Sequence, residues 1–341
     1  FRNRPVKRLP LAPVRKRRRS DPEDEPTLVL PGAAEAVQAM AREAEEVQAA
    51  AAGAAPGAVA LAAGAAARVQ RVRPEEALPR LRRLGFGEYA AHALAAHFLD
   101  AERSGRTGHG LSRIAWLETL PGLDPAARPE RTVAEDGFER WEGRGTVGYL
   151  VLEAVVRAQL ADPPEHARVI AIADAYPTGM LGHYARRISE SGLVCAITAT
   201  SPARLASPDG PPAAAGGIAL AGTNPLCIAV PSSDGRPMVS DVSMAKATWG
   251  DVLTGAAAPE EVVPFGGAQA HKAFAMAVGL QLLVDALAGP PGAQGGAVMI
   301  LARPEHDPVP GLRAQAAAAG SRLPGERLWL PGDWAERARR G

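Results

Sequence analysis

The chain has 341 residues, enough for one large or two medium domains with a substantial core. Lys and Arg number 38 against 37 Asp and Glu, so the net charge of +1 gives no overall pull towards nucleic acid. No uninterrupted run of about 18 apolar residues reads as a membrane span, and the basic N-terminus is followed by acidic residues instead of a signal peptide's apolar core.

Residues 1–30 run from basic to acidic and include the positive block RKRRR at 15–19. Such blocks are usually solvated and unfolded, so it reads as an arm, with a contact to nucleic acid or an acidic partner as the distant alternative. Residues 32–70 are dominated by Ala. Val37, Met40, Ala41, Ala44 and Val47 fall near helical spacing, and glycines at 53, 57 and 64 interrupt the remainder of the segment. Residues 1–71 are therefore expected to be an extension without chemistry of its own.

Order is expected from Pro74. Residues 74–86 (PEEALPRLRRLGF) predict a helix closed by Gly85, and residues 88–103 predict a second. His92 and His97 lie on one helix at a spacing that suits no shared metal, so both read as structural and no metal site is expected. Next come Gly108-His109-Gly110 and, on the following helix, Arg113.

Gly143, Gly145 and Gly148 spell G-x-G-x-x-G ahead of the helix YLVLEAVVRAQLA. A dinucleotide-binding strand–turn–helix needs a clear apolar strand before the first glycine and an acid ending the next strand. FERWE at 138–142 is a poor strand, and Asp162 and Glu165 fall in a Pro-rich loop, so this run is not expected to bind a nucleotide. HARVIA at 166–171 reads as a strand, and a helix, Gly192 and another strand come after it.

Residues 221–249 (AGTNPLCIAVPSSDGRPMVSDVSMAKATW) read as a buried hairpin. Leu226 to Val230 is apolar between two prolines, Asp234-Gly235 is the turn, and Met238 to Val242 returns. Asp241 sits near the strand end, before small and hydroxyl residues that let a ligand approach the backbone. Pro264-Phe265-Gly266-Gly267 leads to a long apolar helix beginning near His271-Lys272, and AVMILA at 297–302 reads as a strand. Cys195 and Cys227, the only cysteines, each lie in an apolar run and read as buried thiols of a reducing, cytoplasmic compartment.

Taken together, these segments resemble the type-2 malate/L-lactate dehydrogenase family, which includes malate, sulfolactate and ureidoglycolate dehydrogenases, diketogulonate reductases and reductases of cyclic imino acids. Six motifs match in order across roughly residues 73–330: the loop 108–110 with Arg113; Gly179, Gly182, His183 and Tyr184; Thr223-Asn224-Pro225; the strand with Asp241; His271-Lys272; and Gly325-Glu326-Arg327. The resemblance implies an α/β fold that binds NADH or NADPH outside the Rossmann arrangement, and a homodimer. It implies domain limits of 1–71 for the extension, 72–330 for the catalytic region (a helical segment, 72–130, then an α/β region, 131–330) and 331–341 for a tail.

Carried over residue by residue, His109 gives or takes the proton of a hydride transfer at C2 of a 2-oxo acid or cyclic imino acid. A histidine titrates near neutrality and suits that task. Asp241 orients it. Arg113 and Thr178 hold the substrate, the arginine through a bidentate pair with its carboxylate. Thr223, Asn224, Pro237, Met238, Val239, Ser240, Asp241, Val242, Ser243, His271, Lys272, Gly325, Glu326 and Arg327 line the cofactor. The chain departs from the family at Gly108, where a serine is usual, at Pro177 for histidine and at Ala273 for glycine, and two loops are short. A degenerate relative that serves as a binding or scaffold subunit is the alternative.

Overall fold

Pro74 opens the first described helix, α1 (Pro74–Arg83), where a missing N–H costs nothing. Glu75 and Glu76 in its first turn and Arg80, Arg82 and Arg83 in its last complement the helix dipole. Gly85, at φ +94°, turns the chain out of it. The computed structural model describes residues 72–135, 137–289 and 295–325. The extension 1–71, Glu326, Arg327 and the tail 331–341 lie outside the described residues.

Helix α2 (Glu88–Arg103) buries Ala90, Ala91, Leu94, Ala95 and Phe98, the three- and four-residue spacing of one helical face. A short 3-10 turn (Thr107–His109) joins it to α3 (Ser112–Leu117). Strands β1 (Glu130–Glu135) and β2 (Phe138–Glu142), helix α4 (Gly148–Ala161) and strand β3 (Ala167–Ala173) come next. The first three helices share a core with Val147, Tyr149 and Leu150 at the start of α4.

The chain continues with α5 (Leu181–Glu190), β4 (Val194–Ala199), a small ribbon of β5 (Leu205–Ala206) and β6 (Ala219–Ala221), and the hairpin of β7 (Leu226–Val230) and β8 (Met238–Val242). Helices α6 (Trp249–Leu253) and α7 (Ala270–Ala288), strand β9 (Gly296–Ala302) and helix α8 (Val309–Ala318) complete the described chain. The main sheet has seven strands in the order β1-β2-β3-β9-β4-β7-β8. Only β2 and β3 are parallel, joined through α4; every other neighbouring pair is antiparallel.

Alternation along the central strands sorts the two faces. Ile170, Ile172, Cys195, Ile197, Met299 and Leu301 point to the core under α4 and α5. Ala171 and Val298 point the other way, against Val284 and Ala288 of α7. Both cysteines are free and buried, and burial raises the Cys195 thiol to about 12. By length and composition the segment Gly267–Ala288 could cross a bilayer, but α7 packs on β3, β4 and β9, which makes it a core helix with one open face.

The expectation for FERWE is corrected: it is β2. Its Glu139 points inward and is 2% exposed, which the hydrophobic pattern does not reveal. The carboxylate is satisfied there, accepting from Trp141 Nε1 at 2.8 Å and Gln159 Nε2 at 2.9 Å and facing Arg131 and Arg168. A strand, a glycine turn and a helix therefore do occur in the right order at 143–148. Even so, the turn is filled by the chain itself. Asp174 Oδ2 accepts the Gly145 N–H at 2.6 Å, the kind of donor a phosphate would use. A Cβ at Gly143 would overlap the Asp174 carbonyl oxygen, and one at Gly148 would meet the Ala175 carbonyl. These glycines serve close packing of α4 onto the end of β3.

That distinction is measurable. Gly143→Ala should lower unfolding free energy by about 2 kcal/mol or more through overpacking. Gly145→Ala, at φ +79° with open space around it, should cost about 1 kcal/mol from backbone strain alone. Urea denaturation of the two variants checks the order.

Candidate active site

The loop after α2 is anchored from below. Glu102 Oε1 accepts the Leu111 N–H at 2.9 Å, and its carboxylate fills the space a side chain at Gly110 would need. Across the loop, Gly108 and Gly250 pack back to back, so the first turn of α6 rests on it. Thr248 and Asp251 cap that turn reciprocally, with Asp251 Oδ2 accepting the Thr248 N–H at 2.8 Å. A Cβ at position 108 would lie 2.6 Å from Asp251 Oδ1 and 2.8 Å from the Asp251 nitrogen. The family serine is thus replaced by the only residue this packing admits.

Arg113 is 8% exposed; its Nε donates to the Gly108 carbonyl at 2.8 Å and its guanidinium lies 5.4 Å from the Trp116 ring centre. It lines a small cleft with His109, Tyr149, Tyr176, Thr178, Thr223, Arg204 and Trp249. Among the described residues no carboxylate lines this cleft. His109 Nδ1 and Tyr149 Oη are buried without a hydrogen-bond partner among the described residues, so the cleft holds unmet polar capacity that a ligand can satisfy. Burial, and then the charge of Arg113, push the His109 ring down to about 3; Asp251 opposes this and Arg106 adds to it. The ring is neutral at pH 7.

A second, larger cleft lies beyond residues 177–182. Ser104, Arg106, Gly182, Arg186, Val239, Ser240, Asp241, Val242 and Gly325 line about 240 Å³ of it. It runs on into about 550 Å³ lined by Arg186, Arg236, Pro237, Val239, Arg313, Arg322 and Gly325. The two parts share Arg186, Val239 and Gly325, so they form one groove. Its size suits a dinucleotide better than a small acid. Gly325, at φ +84°, approaches so closely that a Cβ there would sit 2.6 Å from the Val239 carbonyl oxygen. Arg186, Arg236, Arg313 and Arg322 line one end; Arg186 pairs with Asp100 and both Arg236 and Arg313 pair with Asp234, so a phosphate there would share these guanidinium groups with carboxylates.

The expected residues therefore divide. The structure brings His109, Arg113, Thr178 and Thr223 into one cleft, and Pro237, Val239, Ser240, Asp241, Val242 and Gly325 into the adjoining groove. It does not bring Asp241 to His109. Asp241 Oδ2 accepts the Gly182 N–H at 2.7 Å, and burial raises its pKa while that N–H, Arg106 and Arg186 lower it. Asn224 is fully buried and faces neither opening; its Nδ2 donates to the Ala277 carbonyl at 2.9 Å and to Gln281 Oε1 at 3.0 Å, tying the strand to α7. Ser243 Oγ caps its own loop, donating to the Thr223 carbonyl at 3.3 Å. Met238 lines neither opening, and His271 and Lys272 stand exposed at the start of α7, away from both. Ala273, by contrast, is buried without breaking the helix.

His97 is structural as expected. It is 2% exposed, and its Nε2 accepts the Met180 N–H at 3.1 Å. Next to it, the Asp100 carboxylate accepts from His183 Nδ1 at 2.8 Å and from Arg186 at 2.9 Å. Tyr149, Arg204 and Trp249 are cleft residues that the sequence does not announce. Nothing local marks Arg204 in its polar loop, and Tyr149 sits in a run that reads as ordinary apolar helix.

The model of the malate/L-lactate dehydrogenase family matches residues 76–273. The chain belongs to that family. Among curated relatives of this malate/L-lactate dehydrogenase family, the L-lactate dehydrogenase of Cupriavidus necator is 26% identical over 58% of this chain and 64% of its own length. The NADP-dependent (2R)-3-sulfolactate dehydrogenase of Chromohalobacter salexigens is 28% identical over 54% of this chain and 55% of its own. The chain thus spans between half and two thirds of these proteins. A solved structure, the delta1-piperideine-2-carboxylate reductase of Pseudomonas syringae, superposes with a TM-score of 0.64 and 24% identity over 80% of this chain and 95% of that one. Such a likeness establishes the fold.

The state of His109 has a stability consequence. Unfolded, the ring titrates near 6.5; folded, it titrates at about 3. Between these values the unfolded chain binds the extra proton, so stability falls as pH drops from 6.5 towards 3. His97, also held well below its usual range by burial, acts with the same sign. His109→Gln should flatten this slope while leaving stability at pH 8 nearly unchanged, as read by urea unfolding at a series of pH values.

Proposed function

We propose that the protein is a NAD(P)-dependent oxidoreductase that moves a hydride between the nicotinamide cofactor and C2 of a 2-oxo or 2-hydroxy acid, or of a cyclic imino acid. One observation carries this reading: His109 and Arg113 share a cleft that no carboxylate among the described residues lines, beside a groove sized for a dinucleotide and rich in arginine. Residues of β8 with Gly325 would hold NADH or NADPH, and Arg186, Arg236, Arg313 and Arg322 would face its phosphates. The bound nicotinamide supplies or accepts the hydride.

The chain's own residues handle the proton and the acid. Arg113, fixed by its bond to the Gly108 carbonyl, receives the substrate carboxylate. Thr178 lines the same cleft and offers it a hydroxyl. His109, neutral at rest, is ready to take the hydroxyl proton in the oxidising direction. In the reducing direction, the docked carboxylate offsets the Arg113 charge, the second cause that depresses the ring after burial. His109 relays a proton from solvent to the new oxygen or nitrogen as the hydride arrives. Asp241 acts through the Gly182 backbone and not through His109. The changes at Gly108, Pro177 and Ala273, which would suit a degenerate binding subunit, leave His109 and Arg113 together. Met276, Leu282 and Leu283 on the open face of α7 fit a homodimer contact, and the buried free thiols fit the cytoplasm.

Thermal-shift titration with NADH and NADPH tests the reading first. A ligand at 100 times its dissociation constant adds about 2.7 kcal/mol to the folded state, so one cofactor should raise Tm by several degrees. No shift with either up to millimolar contradicts the proposal. Turnover of a panel of 2-oxo acids and cyclic imines should then fall by about 10²–10⁴-fold in His109→Ala.

A further inference from the structure

The cleft holds a second cation that the proposed chemistry does not use. Arg204 lines it together with His109 and Arg113. Its guanidinium stacks 3.8 Å from the Trp249 ring centre, at the first residue of α6. Among the described residues no carboxylate pairs with Arg204, and none pairs with Arg113. Burial lowers the pKa of Arg204, so keeping this charge in a partly enclosed place costs the protein stability. Stacking on Trp249 restrains the plane of the guanidinium and leaves its N–H groups to serve an acceptor.

Two unneutralised guanidinium groups and a neutral His109 give the cleft a charge of about +2 at pH 7. A substrate with one carboxylate would satisfy Arg113 and leave Arg204 desolvated against it, a costly arrangement. A substrate with two anionic groups neutralises both. Tyr149 Oη, buried and unpartnered in the same wall, adds a donor for the same ligand.

We propose that Arg204 selects a 2-oxo or 2-hydroxy acid with a second anionic group, a carboxylate or a sulfonate, beyond C2: Arg113 takes the carboxylate next to the reacting carbon and Arg204 the distal anion. This rests on the reading of the cleft as a 2-oxo acid site. It disfavours cyclic imino acids and simple monocarboxylates as the physiological substrate class.

The test compares oxaloacetate, 3-sulfopyruvate and pyruvate with the wild-type protein, Arg204→Gln and Arg204→Lys. The wild type should turn over at least one of the two dianions with kcat/KM about tenfold or more above pyruvate, the scale of one charge-assisted hydrogen bond. Arg204→Gln should remove that advantage through a rise in KM, with pyruvate little changed, and Arg204→Lys should restore part of it. The oxaloacetate and sulfopyruvate arms distinguish carboxylate from sulfonate. Pyruvate used as well as either dianion, or an equal loss on all three in Arg204→Gln, overturns the proposal.

A binding arm keeps this test separate from the fate of the dehydrogenase reading. Calorimetric titration with succinate and butyrate, equal in length and differing by one charge, needs no turnover. Succinate should bind about tenfold or more tightly than butyrate in the wild type and lose that margin in Arg204→Gln. Failure of turnover with this margin intact contradicts the enzyme reading alone; equal binding of the two acids contradicts the role of Arg204.

Discussion

Residues 177–182 separate the two openings, and the site depends on how this short segment is held. The Met180 N–H donates to His97 Nε2 on one side, at 3.1 Å, and the Gly182 N–H donates to Asp241 Oδ2 on the other, at 2.7 Å. Gly179 has no side chain because His97 and Tyr149 occupy the place of its Cβ. A helix from the N-terminal segment and the edge strand of the sheet thus grip one wall from opposite sides. Asp100, through its pairs with His183 and Arg186, adds a third tie between α2 and α5. Its burial opposes ionisation, but the His183 hydrogen bond and the Arg186 charge outweigh it and keep the carboxylate ionised.

This arrangement explains why the cleft carries uncompensated charge. The acids near it are committed elsewhere: Glu102 to the loop backbone, Asp241 to Gly182, and Asp251 to the cap of α6. The cations Arg113 and Arg204 are left facing the opening. Burial of unpaired cations is unfavourable in the free protein, and a bound anion relieves it. Burial first and the Arg113 charge second hold His109 neutral, so a bound anion relieves only the smaller of these two causes.

Local signals were enough for the features that depend on neighbours in sequence. Pro74, Gly85 and the 3.6-residue spacing mark the first two helices. The prolines around residues 226–230 and the Asp234-Gly235 turn mark the hairpin, whose register pairs Cys227 with Asp241. His109 and Arg113 were readable because one loop and the next helix present them together. Features that depend on distant packing were hidden. Strand β2 looks too polar until Glu139 meets Trp141 and Gln159, and α8 is masked by Pro310 and Gly311 within its first turn. Asp241 and His109 belong to opposite sides of one wall, which spacing along the chain does not express. Asn224 has the look of a ligand-binding residue, yet its amide is committed to α7.

The assignment of acid and cofactor to the two sides of residues 177–182 is most directly tested by a crystal structure with NADH or NADPH and succinate bound. Succinate is expected between Arg113 and Arg204, beside His109. The cofactor is expected along β8 and Gly325, its phosphates against Arg186, Arg236, Arg313 and Arg322. A nucleotide seated instead by the exposed His271-Lys272 pair, or succinate outside the His109 cleft, would contradict the assignment.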